Sequence, residues 1–213
     1  VPKDAEDMYL CMATRKGLVK RSALDIFKNI RKSGIIAVTL REDDELAWVK
    51  LTSGKNELLV ATKKGMCIRF NENDARPLGR TASGVKAITL KDGDEVVGMS
   101  VMSEGGKLLT VSETGFGRIS DNDNYRVQSR GGKGLKNYHI EKYGEVAAIS
   151  DINEEDDIIL ISQDGIIIRI PASGISTIGR STKGVRLMRL KEGVKVVSIG
   201  LTEATLANVR TFE

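Results

Sequence analysis

Hydrophobic positions along this chain fall into short runs of strand length, and the runs repeat. YLCMAT, ELLVAT, KLLTVS and IILISQ each lead into a turn with a glycine, at Gly17, Gly65, Gly115 and Gly165. A short segment carrying a cation follows: LVKR, MCIR, FGR or IIIR. A polar stretch of about ten residues reaches a second glycine, at Gly34, Gly84, Gly134 or Gly184. Beyond it lie an alternating segment such as VKAITL or NYHI, a turn of mostly acidic character, and a closing apolar run: LAWVKLT, VVGMSVM, VAAISDI or VVSIGLT. Runs this short, rich in β-branched residues and bounded by Gly, Asp and Asn, predict β-strands, about four per unit. Only SALDIFKNI has helical character, enough for one turn of helix or a rim loop.

The second glycines recur at intervals of 50 residues, and the first at 48, 50 and 50. Two anchors in step over the whole chain define four copies of one unit, at about 8–53, 54–103, 104–153 and 154–203. A single repeat domain spans 1–213, with 204–213 a packed or disordered tail that does not resemble a unit. A four-stranded unit that cannot bury its own apolar face alone reads as a blade. The fold class is all-β: a propeller-like disc of four-stranded antiparallel blades.

Composition narrows the chemistry. At 40 % hydrophobic, the 213 residues can bury an ordinary core. No run approaches the roughly 18 apolar residues of a membrane span, so no membrane partner is expected. The opening VPKDAEDMYL lacks both the order of a signal peptide and an initiator methionine, as a fragment or processed product would. Cys11 and Cys67 sit in apolar runs and, with one histidine in the chain, read as reduced buried thiols of a cytosolic protein. No metal site or cofactor is expected. His139 is read as a strand residue, Tyr125 and Tyr138 as blade packing and Trp48 as core. Nothing here assembles an enzyme's site.

Net charge is only +4, but its distribution is uneven. Residues 14–34, 62–84, 112–134 and 162–184 together carry 19 Lys plus Arg and 7 Asp plus Glu, or +12; the remainder carries −8. The same segment of every unit is basic. In a circular array that segment falls on one rim, and a continuous positive track suits a linear polyanion, because phosphate neutralisation releases counterions. Without interleaved aromatics for base stacking, duplex backbone is a better ligand than single strands. Candidate contacts are Arg15, Lys16, Lys20, Arg21, Lys63, Lys64, Arg69, Arg118 and Arg169 around the first glycine. Arg31, Lys32, Arg80, Arg130, Arg180 and Lys183 precede the second. The loop QSRGGKG stands out: Gly131, Gly132 and Gly134 let main chain approach a phosphate, Arg130 and Lys133 add charge, and Gln128 can donate a hydrogen bond. A glycine-stabilised turn between blades is the competing explanation, and the two are compatible.

The stretches ATRKGLVKRSALDIF, SGIIAVTL, ATKKGMCIRFNENDARPLGRTASGV, DNYRVQSRGGKG and GRSTKGVRL resemble the carboxy-terminal DNA-wrapping domain of gyrase A, the DNA gyrase component, with its relative in topoisomerase IV. The resemblance covers nearly the whole chain. It implies a β-pinwheel, a disc whose blades exchange strands, that bends double-stranded DNA around a basic rim in support of ATP-dependent negative supercoiling. It implies no catalysis by the domain itself: the cleavage tyrosine and the ATPase belong elsewhere in a holoenzyme of gyrase A and gyrase B, in the bacterial cytoplasm and associated with the nucleoid. The family's box of glutamine, two basic residues, two glycines, a basic residue and a glycine stands in its first blade. Here its nearest match is in the third unit, with Ser129 at one basic position, as expected if the four units are the last four of a longer array. A topoisomerase IV domain that selects DNA geometry, or a protein-binding propeller, are the alternatives.

Overall fold

The computed structural model describes residues 7–203; the expected tail at 204–213 lies outside them. Among the described residues, fifteen strands form four antiparallel sheets around a common axis. The first unit supplies β1 (Tyr9–Thr14), β2 (Leu18–Ala23) and β3 (Leu46–Thr52). The second supplies β4 (Glu57–Thr62), β5 (Met66–Asn71), β6 (Val85–Lys86) and β7 (Val96–Met102). The third supplies β8 (Lys107–Ser112), β9 (Phe116–Asp121), β10 (Leu135–Lys136) and β11 (Val146–Ile152), with α1 (Ile140–Tyr143) before β11. The fourth supplies β12 (Asp156–Ser162), β13 (Ile167–Pro171), β14 (Val185–Arg186) and β15 (Val196–Glu203).

The sheets do not coincide with the units. Their orders are β3-β1-β2-β6, β10-β5-β4-β7, β11-β8-β9-β14 and β13-β12-β15. Each of the first three sheets borrows its outermost strand from the following unit. The alternating segment after the second glycine is therefore not a full strand of its own blade, as its pattern suggested. Only two residues pair, and they pair across the seam: Val85 and Lys86 with Val19 and Leu18, for example. Two corrections follow for NYHI. Its strand ends at Lys136, and His139 stands at the N-terminus of α1. The helical character of SALDIFKNI is realised as a single 3-10 turn at Leu24–Phe27.

Packing explains the glycine anchors. At Gly84, Gly134 and Gly184 the backbone has positive φ and lies directly on the preceding sheet; a Cβ would fall 2.6 Å from Val19 O, 2.1 Å from Cys67 O and 1.9 Å from Gly117 O. Gly34, in the same repeat position, meets nothing within 4 Å, and neither does Gly165 at the other end. Apolar groups are bare at both ends as well: Ile36 is 62 % exposed and Ile167, on β13, 65 %. The described residues form an arc with one uncovered face at each end.

The core lies between successive sheets, built from residues such as Leu58, Val60, Ile68, Phe70 and Ile88 at the first seam and Leu160, Leu187 and Met188 at the last. Both cysteines are free and buried. Burial pushes the Cys11 thiol up to about 11 and Cys67 to about 12. A group whose pKa is raised by folding favours the native state fully below its unfolded value and loses that contribution as pH climbs through the folded one. Urea unfolding should therefore show stability falling between pH 9 and 12, by about 2–3 kcal/mol at pH 11 from Cys67 alone. A Cys67→Ala variant with an unchanged alkaline limb would refute that assignment.

Candidate nucleic-acid interface

The basic segment of each unit, uniform in sequence, divides into three populations in space. The first lies at the axis. The openings of the inner strands β3, β7, β11 and β15 surround a cavity of about 560 Å³ whose lining includes Arg15, Trp48, Lys63, Glu95 and Glu113. Arg15 pairs with Glu45 at 2.8 Å and its guanidinium stands over Trp48. Lys63 Nζ lies 3.9, 3.6 and 3.6 Å from carboxylate oxygens of Glu95, Glu113 and Glu145. Lys16 and Lys64 reach into the acidic turns, where their ammonium groups donate to Glu42 O and Asp92 O and their amides to Asp44 and Asp94. Arg15 and Lys63 thus face the axial cavity, whereas Lys16 and Lys64 are tied to the acidic turns, Lys16 in a cavity it shares with Lys86.

The second population lies on the second strand of each unit and is held by seams or by carboxylates of its own blade; Arg169, at the uncovered end on β13, is exposed and meets no seam. Arg21, Arg69 and Arg169 occupy one register position, opposite Cys11, Leu59 and Ile159. Arg21 is buried and donates to Ala75 O, to Asn73 and to the fully buried carboxylate of Glu72. Arg69 pairs with Glu57 at 2.6 Å and donates to Asn122 O and Tyr125 O; Arg169 pairs with Asp157 at 2.5 Å. Arg118 is not their counterpart. It stands opposite Thr110, one residue out of phase, in the position of Lys20, Ile68 and Ile168. Successive strand residues face opposite sides of a sheet, so a shift of one turns this side chain inward. Its exposure is 0 %. It donates to Asn137 O and Oδ1 at 2.7 Å each and to Arg180 O in the next unit. Lys20 does the same at the first seam, donating to Ala37 O at 2.6 Å and Arg80 O at 2.5 Å. Burial, followed by the nearby Arg80 charge, lowers the Lys20 pKa. None of Lys20, Arg21 and Arg118 is open to a ligand.

The third population occupies the outside. Residues 77, 127 and 177 bridge in parallel to the outer strand of the preceding sheet, and Leu78, Gln128 and Ile178 donate to it at 2.7–2.8 Å. The loops 78–84, 128–134 and 178–184 thus run along the outermost edge of the disc before entering β6, β10 and β14. Half-buried Arg80, Arg130 and Arg180 each reach back across a seam. Arg80 Nη1 donates to Ile36 O at 3.1 Å, Arg130 to Asp74 O at 3.1 Å and to Lys86 O, and Arg180 to Asn124 O at 3.0 Å and to Lys136 O. Their acceptors are main-chain carbonyls, and among the described residues no carboxylate pairs with them at the rim. Lys133 is exposed beside them, as are Arg31 and Lys32 in the first unit. Lys183 Nζ lies over the Phe116 ring at 3.8 Å. In QSRGGKG the glycines have different duties: Gly134 is dictated by the contact with Cys67 O, whereas a Cβ on Gly132 would meet nothing closer than 3.8 Å. Gln128 has its Oε1 buried without a partner among the described residues.

Five exposed rim cations were not singled out from the sequence. Arg76 and Arg126 follow the 3-10 turns, and Lys86, Lys136 and Arg186 stand two residues past the anchor glycine, on β6, β10 and β14. The 50-residue spacing was signal enough for both sets. Ending the basic segment at the glycine hid the second.

The family model for the DNA gyrase C-terminal domain, beta-propeller, matches residues 9–53, 56–102, 106–153 and 156–203. The gyrase A protein of Clostridium acetobutylicum is 51 % identical over 77 residues, which are 36 % of this chain and 9 % of that protein. The gyrase A protein of Staphylococcus aureus is 51 % identical over 80 residues, 38 % of this chain and again 9 % of its own length. Among solved structures, a DNA gyrase A C-terminal domain superposes with a TM-score of 0.81 at 28 % identity, covering 94 % of this chain and 68 % of that one. The C-terminal domain of a DNA topoisomerase IV superposes with a TM-score of 0.89 at 24 % identity, covering 96 % and 64 %. With all four repeats matched and strands exchanged between them, the chain belongs to the DNA gyrase C-terminal domain family.

Proposed function

We propose that this chain is a non-catalytic module that binds duplex DNA along its outer rim and bends it, in support of ATP-dependent negative supercoiling by a bacterial gyrase. The partners are double-stranded DNA and, in the holoenzyme, the rest of gyrase A together with gyrase B, in the cytoplasm. The observation that carries the reading is the repeated seam arginine. Arg80, Arg130 and Arg180 are fixed by main-chain carbonyls at successive seams, with further exposed cations beside them. Equally spaced charges held in place before the ligand arrives favour a polyanion that follows the rim. Bending a short duplex costs on the order of 1–6 kcal/mol, which several phosphate contacts offset.

The rim set is smaller than the sequence suggested: Arg31, Lys32, Arg80, Arg130, Lys133 and Arg180, extended by Arg76, Arg126, Lys86, Lys136 and Arg186. The expected result is a linear fall of log affinity with log salt, with a slope of about −0.9 per phosphate engaged and several phosphates in all. Relaxing closed circular plasmid in the presence of stoichiometric protein should also change its linking number. A flat salt response with unchanged linking number would point instead to a propeller that binds only proteins.

A further inference from the structure

The second seam differs from its neighbours. Lys86, exposed at the end of β6, comes from the second unit; loop 128–134 comes from the third. They are held side by side by main chain. Arg130 donates to Lys86 O, and a Cβ on Gly131 would lie 3.4 Å from that same oxygen. Thr89 donates its amide to Gly132 O at 2.8 Å and its hydroxyl to Gly131 O at 2.7 Å. Among the described residues, Lys86, Arg130 and Lys133 take part in none of the ion pairs; Glu42 and Asp44 line a cavity with Lys86, where Lys16 donates its amide to Asp44 and its ammonium to Glu42 O. Asp74 offers Arg130 its carbonyl oxygen. Asp94, which lines a small cavity with Lys133, accepts from the amides of Lys64 and Glu95 at 2.9 and 2.8 Å.

The other seams lack this combination. At the first, Ile36 stands where Lys86 stands. At the third, Lys136 has Glu141 at 3.8 Å, and Lys183, the counterpart of Lys133, lies over Phe116. The loops also differ underneath: Lys20 and Arg118 clamp the first and third from below, whereas Ile68 lies beneath the second, 3.8 Å from the Cβ position of Gly132.

From this juxtaposition we infer that Lys86 and loop 128–134 form one phosphate-backbone site, shared between two blades, that anchors the duplex on this rim. The inference rests on the DNA-binding reading and deepens it. Lys86 supplies an exposed ammonium, Arg130 a fixed guanidinium and Lys133 a second ammonium, while Gly132 leaves the main chain between them uncovered. A phosphodiester seated there touches both units, so the site exists only when the seam is closed.

The test uses the four-unit chain and a short blunt-ended duplex of mixed sequence, titrated at several potassium chloride concentrations. Lys86→Gln should reduce the steepness of log affinity against log salt by about 0.9, the loss of one phosphate contact. Its affinity should converge on that of the parent as salt rises. Lys55→Gln, in the exposed turn between β3 and β4, controls for net charge and should leave the slope unchanged. Combining Lys86→Gln with Lys133→Gln should cost less than the sum of the two, because both serve one site. If the parent binds steeply and Lys86→Gln matches it, or if Lys55→Gln lowers the slope equally, the shared site is overturned while DNA binding stands. A flat slope in the parent overturns both.

Discussion

Replacing Arg118 with alanine should lower the unfolding free energy by about 3–5 kcal/mol, the largest single-residue effect expected in this chain. The guanidinium is wholly buried, always charged and, among the described residues, has no carboxylate partner. Its charge is balanced by dipoles: Asn137 O and Oδ1 at 2.7 Å, Tyr125 OH at 3.3 Å, Thr182 O at 3.3 Å and Arg180 O. Truncation would strand those acceptors in a site sealed by two blades, and each stranded group costs about 1–3 kcal/mol. The chain contains its own control. Lys20 performs the same bridging at the first seam with two carbonyl bonds, so Arg118→Lys should cost only about 1–2 kcal/mol. Denaturant unfolding of both variants decides the matter. Equal losses for alanine and lysine would mean that an ammonium cannot take over the bridging and that the guanidinium's own fork of donors is required.

Gly134→Ala should cost about 3 kcal/mol or more, whereas Gly34→Ala, at the same place in the repeat, should cost about 1 kcal/mol. Both glycines have positive φ, so both substitutions carry the strain of a left-handed alanine. They differ in what lies opposite. A methyl at 134 would fall 2.1 Å from the Cys67 carbonyl oxygen, which belongs to the strand that β10 must pair with; a methyl at 34 meets nothing within 4 Å. Hydrogen exchange at Leu135 and Cys67 should accelerate in the 134 variant and stay slow in the 34 variant. Similar unfolding midpoints for the two would show that conformation, not contact, sets the glycine requirement.

Much of the architecture was legible because a repeat reports on itself: the glycines at 34, 84, 134 and 184 fixed the period without any alignment. Strand exchange was not legible from VKAITL, because alternation says that a segment is extended and says nothing about which unit pairs with it. The rim was read only in part. Charge counted along a segment cannot separate Arg80, which ends at the outer edge, from Lys63, which folds back to the axis among three carboxylates. Nor can it show that Arg118 is one register step from Arg69, since FGR is one residue shorter than MCIR in its apolar lead. That single step decides between a buried brace and a partly open side chain. Conversely, Lys86 stands two residues beyond the anchor glycine, so a charge count that ends at Gly84 leaves it out.

Because β6, β10 and β14 each complete the sheet of the unit before them, a nascent chain emerging from the ribosome can never seal the sheet it has just produced. The first sheet waits for residue 86, the second for 136 and the third for 186. Synthesis therefore imposes an order on assembly from the amino end forward, with one raw β-edge always travelling at the growing tip.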